Sequence, residues 1–202
     1  MITIKNLSKS FGEKKLFENY SLQINDGEFV IFTGVSGCGK TTLLNMIGSL
    51  EKADSGEIEV DGMDITQKKN QREYLKSKVG FLFQNFALVD NKTVEENLKL
   101  VKNDCRSGVS IEEALEMVGL SDKAKQKVYS LSGGEQQRAA LARLIVKKCD
   151  CVLADEPTGS LDRKNADTVF SKLEKINESG KTVIMVTHDE SFREKGKRVI
   201  EL

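Results

Sequence analysis

The sequence has no tryptophan, one histidine and one proline, and its charges cancel, with 31 basic and 31 acidic residues among 202. Since neither sign is in excess, no overall field draws the chain to nucleic acid or to an anionic membrane surface, and no nucleic-acid partner is expected. Its apolar runs, such as 183–186, are far shorter than the ~20 residues that cross a bilayer. The chain opens directly on an alternating strand pattern, so we expect neither a membrane span nor a secretory signal.

The cysteines and the paired lysines carry no chemistry that the sequence can assign. Only one close cysteine pair, Cys149-x-Cys151, is present and no second pair follows it, which excludes the usual spacing of a zinc site. We expect reduced thiols, with Cys151 packed in a strand as a small apolar side chain. The lysine pairs at 14–15, 68–69 and 147–148 are interpreted as solvated surface, with a specific anion site as the alternative.

Strand patterns alternate with helix patterns along most of the chain. Strands are predicted at 2–7, 28–33, 57–60, 79–83, 151–154 and 182–187, and helices after Lys40 and over 93–100, 110–118, 134–147 and 164–178, with Gly180 as a stop. This alternation predicts an α/β fold with a mostly parallel sheet. A length of 202 residues suits a single domain.

The stretch from about 85 to 129 differs because it shows capped helices but no strand. Thr93-x-x-Glu96 and Ser110-x-x-Glu113 have the form of capping boxes, and Gly119 suits the end of the second helix. We therefore predict a helical subdomain over about 85–129, inserted into a core of 1–84 and 130–202.

Residues 34–41, Gly-Val-Ser-Gly-Cys-Gly-Lys-Thr, match the phosphate-loop pattern G-x-x-x-x-G-K-[ST] between an apolar strand and an apolar helical pattern. In such a loop the backbone amides point at phosphate oxygens, Lys40 reaches the β- and γ-phosphates, Thr41 ligates Mg²⁺ and Thr42 adds a hydrogen bond. The alternative is a glycine turn that caps a helix. The predicted phosphate-binding residues are Gly34, Val35, Ser36, Gly37, Cys38, Gly39, Lys40, Thr41 and Thr42. The loop alone does not separate kinases, GTPases, helicases and transporter ATPases.

The apolar strand at 151–154 ends in two carboxylates, which is the form of a Walker B segment. Asp155 is predicted to hold Mg²⁺, and Glu156 to orient or deprotonate the water that attacks the γ-phosphate. Such a pair also arises by chance, so it carries little weight by itself.

Residues 131–138, Leu-Ser-Gly-Gly-Glu-Gln-Gln-Arg, resemble the signature motif of ABC ATPases. Ser132, Gly133 and Gly134 would expose free amides at a helix start, a second anion-binding surface. An ordinary capping box, Ser132-x-x-Glu135, is the alternative. The resemblance extends over nearly the whole chain, and it implies a P-loop NTPase fold of ABC type with an N-terminal antiparallel β subdomain.

The same resemblance implies roles for residues elsewhere in the chain. Gln84 resembles the Q-loop glutamine that touches Mg²⁺ and senses a membrane partner, the segment 160–162 with Asp162 resembles the D-loop, and His188 resembles the switch histidine that contacts the γ-phosphate. Phe11 resembles the aromatic that stacks on adenine, where tyrosine is more usual, and a core aromatic is the alternative. The predicted catalytic set is Glu156, His188, Lys40 and Gln84, and the predicted Mg²⁺ ligands are Thr41, Gln84 and Asp155.

In the ABC family two subunits bind head to tail, and ATP lies between the phosphate loop of one and the signature motif of the other. The resemblance thus implies ATP and Mg²⁺ as ligands, and a second copy and an integral membrane permease as partners. It implies a place in the cytoplasm, on the inner face of the cell membrane. Transport-coupled ATP hydrolysis is the implied activity.

Residues 155–162, with 93–97 upstream, are most like the branch of lipoprotein-releasing, macrolide, antimicrobial-peptide and bacteriocin exporters and cell-division ATPases. This similarity favours a bacterial exporter of a peptide, antibiotic or lipoprotein-like substrate, or an extracytoplasmic machine. An importer ATPase and a soluble ABC-type switch without a permease are the alternatives. No regulatory domain is expected after Leu202.

Cys38 stands where alanine or serine is more usual in this loop. A thiol near a helix N-terminus and beside the phosphates predicts that oxidation or alkylation blocks ATP binding. The alternative is a small residue that simply fits.

Overall fold

The computed structural model describes residues 1–159, 161–195 and 197–202, with all of their side chains except those of Glu190, Arg193 and Glu194. Ser160, part of the predicted D-loop, lies outside the described residues. Within the described residues the chain forms nine strands: β1 (Ile2–Phe11), β2 (Lys14–Ile24), β3 (Phe29–Thr33), β4 (Ser55–Val60), β5 (Met63–Asp64), β6 (Val79–Leu82), β7 (Cys151–Asp155), β8 (Thr182–Val186) and β9 (Arg198–Glu201).

The N-terminal part of the chain forms an antiparallel sheet of order β2-β1-β4-β5. The sequence did not predict β2, because its polar residues interrupt the alternation and Asn19 leaves the extended conformation with φ 51°. The two-residue strand β5 was also missed, since it is too short to show a period. The strand β9 was missed because only its two middle residues, Val199 and Ile200, are apolar. The antiparallel β subdomain implied by the resemblance is present.

The second sheet is parallel throughout and has the order β6-β7-β8-β3-β9. Every residue of β3 and β8 is buried, as expected for inner strands with both faces covered. Cys151 lies fully within this core, and burial raises the pKa of its thiol. The predicted α/β fold with a mostly parallel sheet is confirmed.

The helices are α1 (Lys40–Ile47), α2 (Lys68–Glu73), α3 (Val94–Lys99), α4 (Ile111–Met117), α5 (Gly133–Val146) and α6 (Arg163–Glu178). The short helix α2, which runs into a π-helical turn at Tyr74–Lys78, was not predicted. The capping boxes at Thr93 and Ser110 are both formed, and Gly119 follows α4 with φ 68°. No helix in the described part of the chain is long and apolar enough to cross a bilayer.

Alternate residues of each buried strand face opposite sides of the parallel sheet and so enter two hydrophobic cores. Phe29 and Ile31 of β3 pack with α5, α6, α3 and α4, whereas Val30 and Phe32 pack with α1 and the antiparallel sheet. The helices of the 85–129 stretch therefore share a core with α5, the helix that begins at the signature-like motif.

Candidate nucleotide-binding site

Four segments with predicted functional residues follow four neighbouring parallel strands. Gln84 comes after β6, Asp155 ends β7, His188 comes after β8, and the phosphate loop comes after β3. Because parallel strands end at the same edge of a sheet, the strand order β6-β7-β8-β3 brings these distant parts of the chain together.

The segments border a cleft of about 430 Å³, which the hairpin of β1 and β2 closes on one side. The predicted residues that line it are Phe11, Ser36, Gly37, Gly39, Lys40, Thr41, Thr42, Gln84, Glu156 and His188. Two residues outside the predicted set, Lys14 and Leu16, line it as well. Gly34 and Val35 border a separate pocket of about 260 Å³.

The phosphate loop adopts a backbone that requires glycine where it meets α1. Gly39 has φ 106° and forms the N-cap of α1, with no side chain capping the helix. A Cβ at Gly39 would lie 2.8 Å from the Cζ atom of Phe17, so both conformation and space exclude a larger residue. No side chain thus blocks the first amides of α1, which is the arrangement that binds anions.

Lys40 is nearly buried, with 8% of its surface exposed. Its Nζ donates to the carbonyl oxygens of Gly34 at 2.8 Å and Val35 at 2.9 Å and lies 3.7 Å from the Cys38 sulfur. Among the described residues no carboxylate forms an ion pair with Lys40. Its charge is therefore held at the loop by neutral groups and remains available to an anion.

Thr41 and Asp155 join the phosphate loop to the end of β7. The Thr41 hydroxyl donates to Oδ1 of Asp155 at 2.9 Å. Burial raises the pKa of Asp155, and the hydrogen bond from Thr41 opposes this effect. Hydroxyl and carboxylate oxygens are the ligands that Mg²⁺ prefers, and a dication would offset the cost of a charged carboxylate in a partly buried site, so these residues fit the ion.

Glu156 and His188 form a pair that lines the same cleft as Lys40. Glu156 is an uncommon non-glycine residue with positive φ, 44°, and its side chain is 13% exposed. Its Oε2 lies 2.8 Å from Nδ1 of His188 and also accepts from the His188 backbone amide at 3.3 Å. The bent backbone and the two contacts fix this carboxylate at the edge of the cleft.

The signature-like motif begins α5, where Ser132 and Glu135 form the capping box that was the alternative interpretation. Lys123 lies 2.8 Å from Oε1 of Glu135, the carboxylate oxygen that Ser132 does not contact. The contact with Lys123 and the hydrogen bonds from Ser132 together lower the pKa of Glu135 to about 2. A Cβ at Gly133 would meet no heavy atom within 4 Å, whereas Gly134 packs against Asn165. Ser132, Gly133 and Gly134 do not line the cleft.

Asp162 also lies outside the cleft, as the N-cap of α6. It accepts from the backbone amide of Asn165 at 2.9 Å and from its Nδ2 at 2.7 Å. The side-chain oxygen of Asn165 accepts from Arg138 of α5 at 2.8 Å. Asn165 therefore joins the D-loop region to the signature helix, a role that the sequence pattern does not signal because the second contact is purely tertiary.

Helix α5 also reaches two segments of the cleft. Arg143 donates to the carbonyls of Phe86, at 3.0 Å, and Ala87, both of which have positive φ just after Gln84. The buried Gln137 donates to the carbonyl of Pro157 at 2.6 Å, one residue beyond Glu156. One helix thus contacts the segment after Gln84, the residue that follows the acidic pair, and Asn165 of the D-loop region.

Comparison with known proteins agrees with this geometry. A family model described as ABC transporter matches residues 17–159. The macrolide export ATP-binding/permease protein MacB of Campylobacter jejuni is 39% identical over the whole chain, which spans 33% of that relative's length. The lipoprotein-releasing system ATP-binding protein LolD of Porphyromonas gingivalis is 37% identical, with 100% of this chain and 96% of the relative covered.

The fold matches solved structures of MJ0796, an ABC transporter ATP-binding protein of Methanocaldococcus jannaschii. A dimeric structure of that cassette has a TM-score of 0.90 at 38% identity, and covers 100% of this chain and 94% of the other. A dimeric post-hydrolysis structure bound to ADP and Pi has a TM-score of 0.87 at 37% identity, with the same coverage of 100% and 94%. The P-loop NTPase fold of ABC type, with its parallel core, antiparallel sheet and helical stretch, is therefore confirmed, and the chain belongs to the ABC transporter family as one of its ATP-binding cassettes.

Proposed function

We propose that this chain binds and hydrolyses ATP as one subunit of a bacterial ABC exporter. The observation that carries the proposal is the meeting of Lys40, the Thr41–Asp155 pair and the Glu156–His188 pair in or beside one cleft. These are a phosphate-binding cation, hard oxygen ligands, and a carboxylate with a fixed orientation. They are the groups that phosphoryl transfer to water requires.

Each residue then has a distinct task. Phe11, which is 52% exposed at the cleft, stacks on adenine, while the loop amides and Lys40 bind the phosphates. Thr41, Asp155 and Gln84 hold Mg²⁺, which when bound neutralises charge on the phosphate oxygens. Glu156 orients or deprotonates the attacking water, and His188 holds the carboxylate of Glu156 through Nδ1.

The site is completed by a second copy of the chain. Ser132, Gly133, Gly134 and Asp162 contribute nothing to the cleft of their own subunit. They would reach the nucleotide of a partner related head to tail, and the similar cassette MJ0796 forms dimers. ATP is then bound between two surfaces, so ATP binding closes the dimer and product release opens it.

The permease partner and the direction of transport rest on the relatives. The names of MacB and LolD refer to macrolide export and lipoprotein release, which supports the exporter branch and a substrate of peptide, antibiotic or lipoprotein type. We further propose that the stretch 85–129 is a helical subdomain within a single domain. It would transmit motion to a permease at the inner face of the membrane. Arg143 of α5 donates a hydrogen bond to the segment after Gln84, so a movement of that segment would be coupled to α5.

Replacing Glu156 by Gln tests the proposal. The change keeps the size of the side chain but removes the base, so we expect ATPase activity to fall by at least about 100-fold and an ATP-bound dimer to accumulate. Hydrolysis is measured by phosphate release and dimerisation by size-exclusion chromatography with ATP. Glu178→Gln, at the exposed end of α6, is the matched control and should leave both unchanged. A Glu156→Gln variant that hydrolyses ATP normally and stays monomeric would contradict the assigned role.

The permease is tested separately. The chain, purified from its native membranes, is expected to bring an integral membrane protein with it. Purification without any membrane protein, from cells in which the chain is active, would favour the soluble-switch alternative.

A further inference from the structure

We propose that Lys14 is a second phosphate-binding lysine of the site, supplied by the β1–β2 hairpin rather than by the phosphate loop. This inference rests on the proposed function, because it assumes that the cleft holds a nucleotide. The ligand group is the diphosphate portion common to ATP and ADP.

The hairpin places Lys14 between the predicted adenine contact and the phosphate loop. Lys14 is the first residue of β2 and pairs in register with Phe11, the last residue of β1. Its side chain lines the same cleft as Phe11, Lys40 and Thr41. Its Nζ donates to the carbonyl oxygen of Gly37, in the middle of the loop, at 2.9 Å.

The charge of Lys14 is not used by a carboxylate, in contrast to the lysines nearest to it on the hairpin. Lys9 is bound to Glu51 at 2.7 Å, and Lys15 is bound to Glu18 at 2.6 Å. Within the described residues Lys14 forms no ion pair, and the one hydrogen bond of its ammonium group is to the Gly37 carbonyl. An ammonium group has three N–H donors, so two remain for phosphate oxygens.

A backbone carbonyl is a neutral acceptor, and it holds the ammonium beside the loop without cancelling its charge. The proposal depends on the position of this charge within the cleft already described and requires no additional pocket. An ammonium is a compact, strongly hydrated cation that pairs with phosphate as a point charge. The competing explanation is that Lys14 only fastens the loop through Gly37. In that case its charge would contribute nothing to nucleotide affinity.

Binding of ADP without Mg²⁺, followed by isothermal titration calorimetry on the full chain, separates these explanations without relying on hydrolysis. Lys14→Ala is expected to weaken ADP binding by roughly 3- to 10-fold, the range of a charge-assisted hydrogen bond in an exposed cleft. Lys14→Arg, which keeps the charge, should restore most of the affinity. Lys15→Ala removes the neighbouring charge, which points to Glu18, and should stay within about twofold of the wild type.

Salt dependence supplies the second measurement. If Lys14 contacts phosphate, the ADP dissociation constant of the wild type should rise more steeply with KCl concentration than that of Lys14→Ala. The wild type has one more charge–charge contact with ADP that salt can screen. If the ADP dissociation constants of the wild type and Lys14→Ala depend equally on salt, and Lys14→Arg does not restore ADP affinity, Lys14 only stabilises the loop through Gly37. That result would overturn the proposal. Failure of the wild-type chain to bind ADP would overturn the nucleotide site itself, whereas wild-type affinity retained by Lys14→Ala would overturn only the role of Lys14.

Discussion

Asp155→Asn is expected to stabilise the chain in the absence of nucleotide while it abolishes Mg²⁺-dependent hydrolysis. Asp155 lies at the end of β7, where burial raises the pKa of its carboxyl and the nearby charge of Glu156 adds to the effect. The folded chain thus disfavours the ionised form more than the unfolded chain does. Asparagine has nearly the same shape, keeps an oxygen for the Thr41 hydroxyl and carries no charge.

The size of the effect is the difference between two opposing contributions. Removal of the charge relieves the burial penalty and the repulsion by Glu156, but it turns the Thr41 contact from a charged into a neutral hydrogen bond, a loss of about 1 kcal/mol. Because the pKa of Asp155 is raised despite that hydrogen bond, the first contribution is the larger. We therefore expect a net gain in the free energy of unfolding, and in a chain of this length each 1 kcal/mol of gain raises Tm by about 2–4 °C.

The pH dependence has a definite sign. A carboxyl with a raised folded-state pKa costs stability when it is ionised, so the advantage of Asp155→Asn should be full well above that pKa. It should vanish as the pH falls toward the ordinary value of 3.8, where the carboxyl of the wild type is protonated.

Thermal unfolding of both chains, with and without Mg²⁺ and ATP, measures these effects. The order of Tm should reverse when the ligands are added, because an amide in place of the carboxylate binds Mg²⁺ poorly and the variant gains less from binding. The control is Asp150→Asn. Asp150 is an exposed acid just before β7 that pairs with Lys78, and its replacement should change the free energy of unfolding by less than about 0.5 kcal/mol. A lower Tm for Asp155→Asn than for the wild type without ligands would refute the reasoning.

Gly39→Ala should lower Tm and abolish ADP binding, because the added Cβ is crowded by Phe17. The control is Gly62→Ala, at φ 77° with open space around it, which should cost only backbone strain of about 1 kcal/mol. Equal Tm losses in the two variants would contradict the crowding at Gly39. Asn165→Ala removes two side-chain hydrogen bonds, so we expect unfolding to require about 1–2 kcal/mol less and the ATP-dependent dimer to weaken, with ADP binding to the monomer unchanged. An unaltered dimer, measured by sedimentation, would exclude that bridging role. Alkylation of Cys38, which lies 3.7 Å from the Lys40 ammonium, should block ADP binding, and bound ADP should slow the reaction. Cys38→Ala is the control, and loss of binding on alkylation of that variant would assign the effect to another thiol.

Local sequence was sufficient to predict the elements that are stabilised by contacts between residues close together in the chain. The capping boxes at Thr93, Ser110 and Ser132 depend on two side chains within one helical turn, and all three are formed. The buried strands β3, β7 and β8 were found because continuous apolar runs of this length are typical of inner strands of a parallel sheet. The strand β2 and the helix α2 were missed, since their apolar pattern is broken or short. The strand β9 was missed because it is short and pairs with β3, which is distant in sequence.

The sequence by itself determined which residues are candidates for phosphate, Mg²⁺ and water chemistry, because the spacing in the phosphate loop, the acidic pair and the signature-like motif is dictated by backbone geometry within a few residues. It also indicated the family through the order of those motifs. Only the tertiary structure decided that β6, β7, β8 and β3 are neighbours, so that Gln84, Glu156 and His188 meet at one sheet edge. It likewise decided that Lys14 rather than Lys15 faces the loop, since adjacent strand residues point to opposite sides and sequence alone does not say which side is the cleft.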